Sequence, residues 1–125
     1  MSAILIRNAT IINEGIISKK DLLIADDLIS AIGQSENWKT PAGTTIIEAE
    51  GLLLLPGVID DQVHFREPGL THKGSILTES RAAAAGGITS FMDMPNTNPQ
   101  TVTIKDLDEK YRSGAENSHI NYSFL

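Results

Sequence analysis

The sequence holds no cysteine among its 125 residues, which excludes disulfides, thiolate metal sites and a cysteine nucleophile within it. Basic residues are scarce: 10 Lys and Arg stand against 16 Asp and Glu, for a net charge of −6. Nucleic acid and anionic membrane surfaces both recruit clustered cations, so neither is an expected partner. The deficit is even along the chain. Residues 1–55 carry four basic and seven acidic side chains and residues 56–125 carry six and nine, so each part has −3 and neither hides a charged tail. Aromatics make up only 5%, and Trp38, Phe91 and Phe124 read as packing residues because the basic groove that would accompany a base-stacking platform is missing. Long apolar runs are also lacking. Even Leu52–Leu55, a run no other exceeds, is far too short to span a bilayer, and Met1–Arg7 has no basic segment leading into an apolar stretch of the secretory kind. A cytoplasmic, soluble protein is expected. With 41% apolar and 21% charged residues, the composition is that of a globular chain.

The patterning changes once, at Pro56-Gly57. Before it, short strands are joined by polar turns: Ala3–Arg7, then Thr10–Ile12 up to a turn at Asn13-Glu14-Gly15. Asp21–Ile24 and Leu28–Ile32 flank a hairpin turn at Ala25-Asp26-Asp27, and Thr44–Ala49 and Leu52–Leu55 resume strand character after Gln34–Gly43. A small, mostly antiparallel sheet is expected over 1–55. After it, strand and helix alternate. Val58-Ile59 opens a strand running toward Phe65; Ser75–Ala85 is rich in Ala and Leu and is stopped by Gly86-Gly87; Ile88–Met94 is the next strand. Thr103–Asp106 resembles a capping box, with Ile104, Leu107 and Tyr111 as the expected buried stripe and Gly114 as the expected end of the helix. Ile120–Leu125 is the last strand. This β-α-β-α-β order demands a parallel sheet, and three such strands cannot close a barrel, so residues 56–125 are expected to be the front of something longer.

Two polar clusters fall at strand ends. Asp60 to Gly69 (Asp-Asp-Gln-Val-His-Phe-Arg-Glu-Pro-Gly) follows the first parallel strand, where ligands gather in α/β architectures. Alternation would put Asp60, Gln62, His64 and Arg66 on one side. Imidazole binds divalent metals and guanidinium grips a carboxylate with two hydrogen bonds, so the set suits a metal centre with an anion clamp. It equally suits a buried, satisfied His64 with Arg66 paired to Glu67 or an aspartate, and spacing alone does not choose. The second cluster, Asp93 to Pro99, lies at the same edge. Asn96 offers both a donor and an acceptor, although Asn96–Pro99 also has the composition of a plain turn. Asp93 is expected to order this loop and not to react. His72 and Lys73 read as a surface loop, and His119 as solvated.

Together, Pro56–Gly69, Ala83–Thr89 and Met92–Pro99 resemble the N-terminal part of a dihydroorotase, a cyclic amidohydrolase of the amidohydrolase superfamily. The resemblance implies an α/β fold: the N-terminal part of a metal-dependent hydrolase (β/α)8 TIM barrel, preceded at 1–55 by strands of a small composite β-sandwich domain. It implies one or two zinc ions as cofactor and a small-molecule substrate, dihydroorotate or N-carbamoyl-L-aspartate, in pyrimidine synthesis, and it is compatible with a homodimer. By the same resemblance His64 is a metal ligand, Arg66 binds the substrate carboxylate and Asn96 assists it. The proton-shuttling aspartate and the remaining ligands are expected beyond Leu125, so this portion alone is expected to be inactive.

Gln62 departs from the pattern. It stands where the family has another metal-binding histidine, and an amide oxygen is a weak, neutral zinc ligand. Two further expectations therefore stay open beside dihydroorotase: a hydantoinase or allantoinase, whose substrates need no carboxylate clamp, and a non-catalytic dihydroorotase-like subunit.

Overall fold

The computed structural model describes residues 2–125, and the chain divides at Pro56/Gly57 into two compact units. In the first, β1 (Ala3–Asn13), β2 (Ile16–Ala25), β3 (Leu28–Gly33), β4 (Thr45–Glu48) and β5 (Leu53–Leu54) form one sheet in the order β3-β2-β1-β4, with β5 also on β1. Both expected hairpins form. Glu14 and Gly15 take positive φ (49° and 75°) between the paired Asn13 and Ile16, a primed two-residue turn whose twist matches the strands it joins. The sheet is mostly antiparallel in its paired residues, as expected, through β1/β2 and β2/β3, but it is mixed, because β4 and β5 join β1 in parallel. Strand patterning records which residues alternate, and it carries no mark of the direction from which a distant segment returns.

Ala3–Arg7 and Thr10–Ile12 are one strand with a bulge between Ile6 and Ala9, where Asn8 sits at φ 59°. The bulged amide is not orphaned: Asn8 N–H donates to Asp21 Oδ1 at 2.7 Å, and Asp21 Oδ2 accepts Ser35 N–H at 2.9 Å. Ala9, Ile11, Leu22 and Ala49 form the buried core of this unit.

The second unit is β6 (Val58–Val63), α1 (Ile76–Ala85), β7 (Ile88–Asp93), α2 (Ile104–Asn117) and β8 (Asn121–Phe124), with a parallel sheet in the order β6-β7-β8. Ser75 caps α1 and forms a capping box with Thr78, and Gly87 at φ 87° takes the left-handed position that ends it. Thr103 and Asp106 form the expected capping box on α2. Five of the six aromatic side chains gather in this unit. Phe65, Phe91 and Phe124 are buried with Ile76, and the Phe65 and Phe91 rings lie 4.4 Å apart.

Two expectations for α2 fail. Ile104 is 81% exposed and Tyr111 is also exposed, while the buried positions are Lys110 and Gly114, beside a half-buried Leu107. Gly114 does not end the helix either. It lies inside it, where any Cβ would come within 2.6 Å of the Tyr122 ring, so the glycine serves close helix-to-strand packing.

Candidate functional site

The two polar clusters leave the same edge of the sheet and are held by one buried carboxylate. Asp93 ends β7, and its Oδ1 accepts the Phe65 N–H at 2.9 Å. Phe65 plugs the aromatic core, so its neighbours His64 and Arg66 flank a fixed anchor. Met94 N–H donates to Val63 C=O at 3.0 Å, carrying the β6/β7 ladder one step into the loops. Asp93 therefore orders the Asp60–Gly69 segment through Phe65, where the sequence reading expects it to order its own loop.

The alternation expected for Asp60, Gln62, His64 and Arg66 does not carry through. The β6/β7 register shifts between Asp60 and Val63, so a bulge there breaks the phase, and Arg66 has φ 70°, outside strand geometry. Gln62 is exposed at this bulge, with its N–H on Asp60 Oδ1 at 3.2 Å.

His64 and Asn96, 32 residues apart, meet: His64 Nδ1 lies 3.0 Å from Asn96 Oδ1. An amide oxygen only accepts, so Nδ1 is the donor in this contact, and in the neutral imidazole that leaves the Nε2 lone pair free, the tautomer a metal ligand needs. The Asn96 amide NH₂ remains a donor. Thr97 holds the loop under Asn96 in shape, its buried hydroxyl donating to Pro99 C=O at 2.7 Å. Asn98 N–H donates to Pro68 C=O at 3.1 Å, and Gly69, at φ 81°, lies too close to Asn98 O for any side chain at that position.

Arg66 is half-buried and makes no ion pair among the described residues. The pairing with Glu67 that the sequence left open does not occur. Glu67 Oε2 accepts Ile76 N–H at 2.8 Å, where a carboxylate complements the α1 N-terminus, and Oε1 accepts the Ser113 hydroxyl at 2.7 Å. The guanidinium is left without an internal anion. His72, Lys73 and His119 are exposed, as read from the sequence.

Among the described residues no three His, Cys, Asp or Glu side chains gather as a metal centre requires. These residues thus fit one imidazole ligand position and not a complete centre. A cavity of about 130 Å³ opens on Glu67, Pro99, Asp106 and Lys110, and neither His64, Arg66 nor Asn96 lines it.

One buried charge behind the site loops escaped the sequence reading. Lys110, wholly buried, pairs with Asp93 Oδ2 at 2.8 Å and donates to Met94 C=O at 3.0 Å. A signal existed: Asp93 alternates with Phe91 on the core side of β7, and Lys110 lies three residues after Leu107, so two opposite charges fall at core positions.

Comparison with known proteins gives the family and the architecture. Residues 51–123 match the family described as dihydro-orotase-like. The chain belongs to that family. It is 47% identical over 98 residues to a dihydroorotase of Citrifermentans bemidjiense, covering 77% of this chain and 23% of the relative, and 37% identical over 122 residues to one of Methanosarcina acetivorans, covering 98% and 26%. The chain thus spans about a quarter of these relatives' length. Among solved structures, an L-hydantoinase (dihydropyrimidinase) of Arthrobacter aurescens superposes with TM-score 0.87 at 28% identity, over 97% of this chain and 27% of that one. A D-hydantoinase of Thermus sp. gives 0.80 at 31%, over 97% and 26%. The dihydroorotase-like chain therefore has the N-terminal architecture of the cyclic amidohydrolases, and its relatives are hydrolases.

Proposed function

We propose that the protein is a dihydroorotase, or the N-terminal part of one, that interconverts L-dihydroorotate and N-carbamoyl-L-aspartate with zinc as cofactor, in the cytoplasm, in pyrimidine synthesis. The observation that carries this reading is the pairing of His64 with Asn96, together with an Arg66, two residues after His64, that makes no ion pair among the described residues. Arg66 would clamp the substrate carboxylate through two hydrogen bonds, and the free Asn96 NH₂ would add a third donor. His64, oriented by Asn96, would present Nε2 as one ligand. Zinc, when bound, lowers the pKa of a water and polarises the amide carbonyl. The proton-shuttling aspartate and the other ligands would come from outside this chain, and a homodimer is the assembly we favour.

The test is zinc content and dihydroorotate hydrolysis by the full-length protein. Bound zinc with turnover supports the assignment, and absence of turnover with zinc present contradicts it.

Gln62 favours a second reading, a non-catalytic dihydroorotase-like subunit. On that reading the full-length protein is inert, and Gln62→His restores metal binding and activity.

A further inference from the structure

The buried charge on α2 is placed where it acts on both loops of the proposed site. We infer that Lys110 and Ser113 are positioning residues, one face of α2 holding the His64-Arg66 segment and the Asn96 loop in register. Lys110 Nζ neutralises Asp93, the carboxylate that fixes Phe65 N–H between His64 and Arg66, and the same ammonium donates to Met94 C=O, two residues before Asn96. Three residues along the helix, Ser113 donates to Glu67, directly after Arg66. Residues at i and i+3 share a helix face, so both contacts move together with α2. Ser113 binds the residue next to Arg66 and Lys110 binds a carbonyl two residues before Asn96, and neither contact is near enough in sequence to have arisen as a local turn.

Burial strengthens the assignment. Both side chains of the Asp93–Lys110 pair have no exposed surface, and Lys110 Nζ also lies 5.0 Å from the Phe124 ring centroid. A buried ion pair is weak evidence for stability, because a well-packed apolar pair often serves as well. What an apolar pair would not supply is the two hydrogen bonds that these charges direct to Phe65 and Met94. The role of α2 rests on the functional reading above, but its test reads geometry and exchange, so failure of dihydroorotate turnover would sink that reading and leave this one standing.

The experiment is amide hydrogen exchange and a crystal structure of the double variant Asp93→Asn/Lys110→Met, which removes both buried charges at once and leaves neither unpaired. The oxygen kept at position 93 still accepts from Phe65, so the Phe65 amide should stay protected, whereas Met94 C=O loses its donor. Exchange at Thr97 and Asn98 should rise at least about tenfold while α1 amides change little, and the His64–Asn96 contact should open. A uniform rise across the unit, or no rise in the loop, would overturn the inference. Should that variant not fold, Ser113→Ala decides: faster exchange at Leu70, whose N–H bonds Arg66 C=O, with α1 unchanged supports the role, and an unaltered Leu70 refutes it.

Discussion

Asp21 shows how one side chain settles a backbone irregularity. Its two oxygens satisfy the amides of Asn8 and Ser35, and hydrogen bonding to the Ser35 side chain, followed by that to the Asn8 amide, holds its carboxyl below the usual carboxylate range. A folded pKa lower than the unfolded one means that the stabilisation is complete above the unfolded value, near 4, and is lost as pH falls through the folded value. Asp21→Asn should therefore destabilise the first unit by about 1–3 kcal/mol at pH 7, and the gap between variant and parent, followed by chemical denaturation, should close below about pH 4. Nothing in the local sequence marks Asp21 for this role, since its partners lie 13 and 14 residues away. The hairpin turns, by contrast, are legible because Glu14-Gly15 and Asp26-Asp27 encode their own geometry. Arg66 belongs with Asp21: its type and place are readable, but its freedom from Glu67 depends on Ile76 and Ser113.

Helix α2 was half legible. The Thr103/Asp106 capping box is a local device and is visible in sequence, while the buried face is not, because a Lys and a Gly do not advertise core positions. Apolar periodicity chose Ile104 and Tyr111, and packing chose Lys110 and Gly114. The consequence is testable: Gly114→Val should push against the Tyr122 ring and lower stability by about 1–3 kcal/mol, read as a lower Tm, although valine is a better helix former than glycine. In the site loops, Gly69→Ala should separate Pro68 from Asn98, because the position needs both a positive φ and the absence of a Cβ. A crystal structure of that variant should show the Asn98 N–H to Pro68 C=O bond broken. The parallel return of β4 and β5 onto β1 was not legible, since strand order is a non-local outcome.

Taken whole, the chain carries two units that differ in kind: a mixed sheet with a small aliphatic core, and a parallel α/β segment whose aromatic core anchors the site loops. Among its described residues one imidazole meets one amide and Arg66 makes no ion pair, but no three metal-donor side chains gather, so the chain on its own should show no dihydroorotate turnover even with zinc added. The strand-helix alternation that identified the second unit was the strongest signal in the sequence, and the pairing of His64 with Asn96 was foreshadowed only by their common sheet edge. The claim that Arg66 selects a carboxylate-bearing cyclic amide is tested most directly by comparing dihydroorotate with an unsubstituted hydantoin in the full-length protein and its Arg66→Ala variant. The substitution should weaken dihydroorotate binding by about 2–5 kcal/mol and leave hydantoin unaffected. Equal effects on both substrates, or turnover of hydantoin alone, would contradict it.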